Sequence, residues 1–306
     1  MARNAKFPSA ILSVLGFGLL IAADAIPGAP ADGPQPAAPV AAPAPAPASA
    51  ATATPAAREG WKLVRADEFD YTGVPDPAKW DYEVGYIRNN EAQYYTRARK
   101  ENAWVEDGVL TITGRKEKFP IADGRRAKGR TEAEYTAASL ITRGKASWTY
   151  GRIELRAKLP KGRGVWPAFW SLGTSGGWPR GGEVDIMEYV GKEPHDVHCN
   201  LHYALKGRHT SAGGMVKLDN PWDEFHVYAV DWNSDRMEFS CDQKKYYTFD
   251  LSKADDQGFN PYRKPQYILL NLALGGGYGG PIDDANLPQK YVIDYVRVYQ
   301  RAEAKK

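Results

Sequence analysis

From Trp61 onwards the apolar positions come in short runs separated by turn residues, and no run sustains a helical period. Ile153, Leu155, Ala157 and Leu159 alternate with Arg152, Glu154, Arg156 and Lys158, which predicts a strand with one dry and one wet face. Phe225-His226-Val227-Tyr228-Ala229-Val230 is apolar on both faces and predicts a strand covered on both sides. In Gly164-Val165-Trp166-Pro167-Ala168-Phe169-Trp170-Ser171-Leu172, a strand would set Trp166, Ala168 and Trp170 on one face. Pro167 argues against a regular central strand there. The following Gly- and Pro-rich segment, 174–182, predicts a loop with Trp178 on it. Many short strands over roughly 240 residues predict a single sandwich domain, placed at residues 59–301.

The N-terminal residues follow another pattern. Arg3 and Lys6 precede an apolar stretch over 10–22, and Ala23-Asp24-Ala25 fits a small-x-small cleavage site. Residues 1–25 therefore read as a secretory signal peptide. The stretch is short for a membrane span, which leaves an uncleaved anchor as the less favoured alternative, and no cysteine stands near the cleavage site to accept a lipid. The mature protein is expected to be secreted or periplasmic, with no stable membrane insertion. Residues 26–58 are Pro/Ala-rich and nearly uncharged, cannot bury a core, and favour extended polyproline II, as a tether would. Residues 302–306 form a short charged tail.

Composition narrows the partners. The chain of 306 residues is 43% hydrophobic and 12% aromatic, enough for a large core. Its net charge of +3 is spread among mixed signs, and no nucleic-acid motif is present. Arg88, Arg97 and Arg99 are the one basic cluster; they would either attract an anionic polysaccharide or pair with neighbouring acids. Five scattered histidines show no zinc spacing. Cys199 and Cys241 both fall on inward positions, where export permits a disulfide and burial equally suits two free thiols. A monomer is expected.

The candidate chemistry lies in Glu183-Val184-Asp185-Ile186-Met187-Glu188-Tyr189, which sets three carboxylates in a strand-like run. On a regular strand Glu183 and Asp185 share a face and Glu188 falls on the other. A β-bulge at Ile186-Met187 would return Glu188 to the face of the other two. Like charges on one face repel, so a structural strand has no reason to gather them. A glycosidase does, because it needs one carboxylate as nucleophile and one carboxylic acid to protonate the leaving oxygen. With the bulge, Glu183 and Glu188 lie about 13 Å apart along the backbone, at ~3.3 Å per residue. Two glutamates leaning together span that to the ~5–5.5 Å that retaining enzymes use. Asp185, between them, is expected to hydrogen-bond Glu183 and to keep a proton in the cluster. The alternative is an edge strand whose charges are merely solvated, and from these seven residues alone the two readings are even. Trp166 and Trp170 fit either a sugar platform or the core. Trp178, on a loop that ends at the first glutamate, reads as a cleft wall.

The pattern Glu-x-Asp-x-x-Glu after a Trp-Pro-Ala-x-Trp strand resembles glycoside hydrolase family 16, in particular its laminarinase-like endo-β-1,3-glucanases. The resemblance runs through Asp67-Glu68-Phe69, Asn89-Asn90-Glu91-Ala92-Gln93-Tyr94-Tyr95-Thr96 and Gly151-Arg152-Ile153-Glu154. It continues through Asn200-Leu201-His202-Tyr203, Asn271-Leu272-Ala273-Leu274-Gly275-Gly276 and Tyr291-Val292-Ile293-Asp294-Tyr295-Val296-Arg297-Val298-Tyr299. It implies an all-β jelly-roll sandwich of two antiparallel sheets with an open concave cleft. It implies Glu183 as nucleophile, Asp185 as its helper and Glu188 as acid/base. Trp166, Trp170, Trp178, His202 and Asn89 become cleft residues, and Arg88, beside Asn89, joins them as a substrate-binding candidate. The implied activity is internal hydrolysis of β-1,3 or mixed β-1,3/1,4 glucan with no catalytic cofactor. A structural Ca2+ site is implied at a carbonyl near Glu68, a carbonyl near Gly108 and the Asp294 carboxylate. The other reading of Asp294 is a hydrogen bond, with Arg297 as partner. Val84-Gly85-Tyr86-Ile87-Arg88 and Gly277-Tyr278-Gly279-Gly280 depart from the laminarinase pattern at segments expected to border the cleft, which leaves agarose or a sulfated galactan as alternative substrates. A non-catalytic lectin on the same fold would have no use for both Glu183 and Glu188.

Overall fold

Seventeen strands form among the described residues, which are 58–122, 124 and 126–302 of a computed structural model. They are β1 Trp61–Asp67, β2 Asp81–Tyr82, β3 Gln93–Tyr95, β4 Ala103–Glu106, β5 Val109–Pro120, β6 Glu132–Ala137, β7 Ser139–Ile141, β8 Gly151–Lys158 and β9 Val165–Gly173. β10 Glu183–Tyr189, β11 Asp196–Leu205, β12 Arg208–Lys217, β13 His226–Trp232, β14 Arg236–Cys241, β15 Lys244–Asp250, β16 Gln266–Leu274 and β17 Gln289–Arg301 complete the set. The signal peptide and, but for Arg58, the proline-rich segment lie outside the described residues, as does the tail beyond Ala302. No helix among the described residues is long and apolar enough to cross a membrane.

Seven strands make one sheet in the order β12-β11-β10-β9-β16-β7-β2. Ten make the other, β15-β14-β13-β8-β17-β5-β6-β3 with β1 on β17 and β4 on β5. All pairings are antiparallel except β3 with β6, and the whole is a jelly-roll sandwich. Period-two alternation decides what enters the space between the sheets. β11 sends Val197, Cys199, Leu201 and Tyr203 into the core, so His198, Asn200 and His202 face the other way. β16 is buried along its whole length. Its Ile268, Leu270, Leu272 and Leu274 join the main core, while Tyr267 and Leu269 pack with Ala168 and Trp170 on the opposite face. Each fully buried side chain of this size contributes roughly 1.5–3 kcal/mol. That second, smaller cluster is a firm floor for the cleft.

Several local expectations change in the tertiary context. Pro167 does sit inside a central strand, opposite Leu272 of β16. The β9–β10 ladder stops at the neighbouring Ala168–Glu188 pair, so the missing N–H falls where that pairing has ended. The polar face of β8 is not wet at its start: Arg152 is 2% and Glu154 3% exposed. Arg152 Nε donates to Glu154 at 2.8 Å and its Nη1 to Asp231 at 2.7 Å, so the buried charges are paired. The start of β13 is only half-buried, and the ring of Phe225 before it is covered by Arg156 and Lys158 rather than by apolar side chains. Cys199 and Cys241 are buried free thiols on strands of different sheets.

Candidate active site

The register of β10 slips against both of its neighbours after Asp185. Before the slip, Glu183 lies opposite His202 and Leu172, and Asp185 opposite Asn200 and Trp170. After it, Glu188 lies opposite His198 and Ala168. Ile186 and Met187, consecutive residues, both enter the core. This is the bulge foreseen from the residue pattern, and it returns Glu188 to the face of the other acids. All three carboxylates line one cleft of about 610 Å³. Tyr262 fixes the register from behind, its hydroxyl donating to the backbone carbonyls of Glu183 at 3.3 Å and His202 at 3.1 Å.

The three acids have different surroundings. Glu188 accepts from Trp166 Nε1 and from Asn200 Nδ2, each at 3.0 Å. Asp185 is 4% exposed, and its Oδ2 has no hydrogen-bond donor. The expected hydrogen bond from Asp185 to Glu183 does not form among the described residues. His202 intervenes, with Nε2 at 3.4 Å from Asp185 Oδ2 and 3.9 Å from Glu183 Oε1. Burial, then the neighbouring Asp185, pushes the Glu183 carboxyl up to about 8, against the pull of His202. Burial and Glu188 hold Asp185 well above the carboxylate range. Burial also raises Glu188, opposed by the Trp166 and Asn200 hydrogen bonds. The cluster therefore retains protons at pH values where exposed carboxyls have lost theirs.

The predicted cleft residues come together. Trp166, Trp170, Trp178, His202, Asn89 and Arg88 all line the same cavity as the acids. Trp166 and Trp170 are nearly buried and form its floor, Trp170 donating to Asn271 Oδ1 at 2.7 Å. Trp178 is 58% exposed and stands on the wall with its ring 4.8 Å from that of His209. A Cβ on Gly173 would sit 2.1 Å from the carbonyl oxygen of Gly181, so only glycine lets the Trp178 loop close this tightly on the end of β9. Asn89 is exposed in the left-handed region at φ 52°, with its amide 3.3 Å from Glu91. Arg88 lies over the Trp170 ring at 4.8 Å and is paired with Glu83. Arg97 and Arg99 are paired likewise, with Asp81 at 2.5 Å and Glu117 at 2.6 Å.

Asn200, Asn271, Tyr278, Glu91 and His209 also line the cleft and were not singled out from sequence. Alternation on one strand from His202 would have found Asn200. Tyr278 lies in one of the two departing segments, its ring edge-on to Trp166 at 5.5 Å. His209 has no local signal, because it arrives through the β11–β12 pairing.

The implied calcium ligands are brought near one another by register. β17 pairs Ile293 with Leu110 and Val296 with Asp67; continued, these registers set Gly108 and Glu68 opposite Tyr295, the residue after Asp294. β17 bulges at Asp294 against β8. Arg156, not Arg297, bonds the Asp294 carboxylate, at 2.6 Å through Oδ2. Arg297 instead grips Glu68 at 2.8 and 2.7 Å. Backbone carbonyls and a carboxylate are hard oxygen donors, the type that suits calcium.

The family model for glycosyl hydrolases family 16 matches residues 90–297. A β-glucanase of Rhodothermus marinus is 45% identical, over 79% of this chain and 86% of its own length. A glucan endo-1,3-β-glucosidase of Cryptopygus antarcticus is 35% identical, over 79% and 93%. The X-ray structure of the laminarinase from Rhodothermus marinus superposes with a TM-score of 0.71 at 44% identity, covering 79% of this chain and 98% of that one.

Burial of Glu183 has a consequence for stability. Its carboxyl titrates at 4.5 when unperturbed and at about 8 in the folded protein. Between these values the folded state keeps a proton that the unfolded chain has lost, so stability present below the lower value is lost as pH rises through the higher. Glu183→Gln removes that loss. Its melting temperature should exceed that of the parent by at least about 2 °C more near pH 8 than near pH 5. Equal increments at the two pH values in thermal melts would refute the placement of a titrating Glu183 in a desolvated cleft.

Proposed function

The chain belongs to glycosyl hydrolase family 16, and from that premise we propose that it is a retaining endo-glucanase cutting internal β-1,3 bonds of glucans such as laminarin, with mixed β-1,3/1,4 glucan also accepted. The observation that carries this reading is the β10 bulge, which gathers Glu183, Asp185 and Glu188 in one aromatic-floored cleft. Glu183 attacks the anomeric carbon as the bond to the leaving oxygen breaks, and Glu188 protonates that oxygen. Glu188 then takes a proton from water as the water displaces Glu183 from the sugar. Asp185 holds its proton through burial and offers it within the cluster, limiting the charge beside the nucleophile. Trp166, Trp170 and Trp178 supply apolar faces for pyranose rings, and Asn89, Arg88 and His202 supply polar contacts. The open cleft suits internal cutting, since a chain lies across it without threading an end. Arg88, Arg97 and Arg99 are each paired with an acid, so this cluster does not stand free for a sulfated chain, which favours a neutral glucan. Export follows from the N-terminal pattern, and the product is soluble oligosaccharide made outside the cytoplasm.

Glu183→Ala and Glu188→Ala should each lose activity by a factor of about 10³ or more while remaining folded. On an activated β-glucoside, azide should rescue Glu188→Ala to the β-glycosyl azide and Glu183→Ala to the α-anomer. Near-parental activity of either variant on polymer would end the assignment.

Laminarin should yield short oligosaccharides early and glucose late, and proton NMR should find the first product β-configured. An α-configured first product would refute retention. Degradation of agarose or carrageenan with laminarin left intact would refute the substrate and leave the acids in place.

We further propose a structural calcium held by the Glu68 and Gly108 carbonyls and Asp294. A chelator should then lower the melting temperature, and added calcium should restore it. An unchanged melting temperature would remove calcium from the fold.

A further inference from the structure

We propose that His209 is a positioning residue: it holds His202 in the tautomer that points an Nε2 proton at Glu183 and Asp185. His202 Nδ1 and His209 Nε2 are 3.0 Å apart. The ring planes differ by only 19° while the centroids stand 5.2 Å apart. With facing nitrogens so much closer than the centroids, the rings lie edge to edge, as an in-plane hydrogen bond requires, and not face to face. A neutral imidazole has one donor and one acceptor nitrogen, so this bond admits two arrangements. In one, His209 Nε2–H donates to His202 Nδ1, and the His202 proton sits on Nε2, facing Asp185 Oδ2 at 3.4 Å and Glu183 Oε1 at 3.9 Å. In the other, His202 turns a lone pair towards those oxygens. Asp185 Oδ2 has no other donor, and no hydrogen bond reaches the Glu183 side chain among the described residues. The first arrangement turns an N–H towards the charged form of both acids, and the second can only accept from a protonated one.

The arrangement bears on the order of ionisation. Two donors favour charge on Glu188, the proposed acid, whereas Glu183, the proposed nucleophile, has no hydrogen-bond donor and only His202 Nε2 nearby, at 3.9 Å. A fixed Nε2–H is thus what draws negative charge towards Glu183 and lets the shared proton move to Glu188. The groups facing the histidine pair are Glu183 and Asp185 of β10, with Glu188 and Arg88 acting on Glu183 from further off. Trp178 packs on His209 at 4.8 Å and braces it without competing for the hydrogen bond.

This inference rests on the proposed roles of Glu183 and Glu188, so its test includes a readout that needs no substrate. In full-length protein labelled with 15N-histidine, His202 should show a protonated Nε2 and an acceptor Nδ1. His209→Ala should convert these signals to a tautomer mixture. It should also lower kcat about tenfold to a hundredfold, on whichever polysaccharide the parent cleaves, with KM little changed. His209→Gln, whose amide can donate in the same place, should preserve both the tautomer and most of kcat. A protonated Nδ1 in the parent would overturn the proposal. So would unchanged His202 signals in His209→Ala, or a His209→Gln variant as impaired as the alanine one. If laminarin proves not to be the substrate, the NMR comparison still decides the role of His209.

Discussion

The site depends on one irregularity in one strand. A regular β10 would turn Glu188 into the space between the sheets with Val184 and Ile186, and would turn Met187 and Tyr189 out to the cleft. An unpaired carboxylate between the sheets is costly, and a cleft with only Glu183 and Asp185 would lack the second glutamate. The extra residue in the ladder resolves both problems together, because it feeds Ile186 and Met187 to the core and turns Glu188 outward. The apolar requirement of the core and the acidic requirement of the cleft are thus met by the same local distortion.

Gathering three acids raises a second problem, mutual repulsion in a half-dry cleft. The surroundings answer it unevenly. Glu188 is supplied with indole and amide donors from β9 and β11, while Glu183 and Asp185 face a single imidazole. Burial does the rest by favouring the neutral forms. The result is a cluster that keeps protons to higher pH than exposed carboxyls do, a condition that suits the proposed acid and nucleophile.

The floor of the cleft explains why such a cluster stays in place. Trp170 and Ala168 of β9 pack with Tyr267 and Leu269 of β16 on the side away from the main core. β9 and β16 are therefore packed on both faces, and β10, which carries the carboxylates, is paired along β9. Outside the strands, Trp178 adds an exposed ring that closes one wall and packs on His209.

Much of this was legible in the linear order of residues. The all-β class, the bulge, the shared face of Trp166 and Trp170 and the loop position of Trp178 all follow from alternation and turn composition, which are local properties of a strand. The burial of Arg152 and Glu154 was not legible, because it required Asp231 from β13 to meet them and complete the charge balance. The fate of Arg88, the partner of Asp294 and the place of Pro167 were likewise set by neighbours distant in sequence. His209 shows the limit most clearly. Nothing near it in the chain marks it, and only the antiparallel return of β12 beside β11 brings its nitrogen to His202. Local periodicity determines which way a side chain points; which group it then meets is decided by strand pairing, where residues far apart in sequence are brought within hydrogen-bond reach.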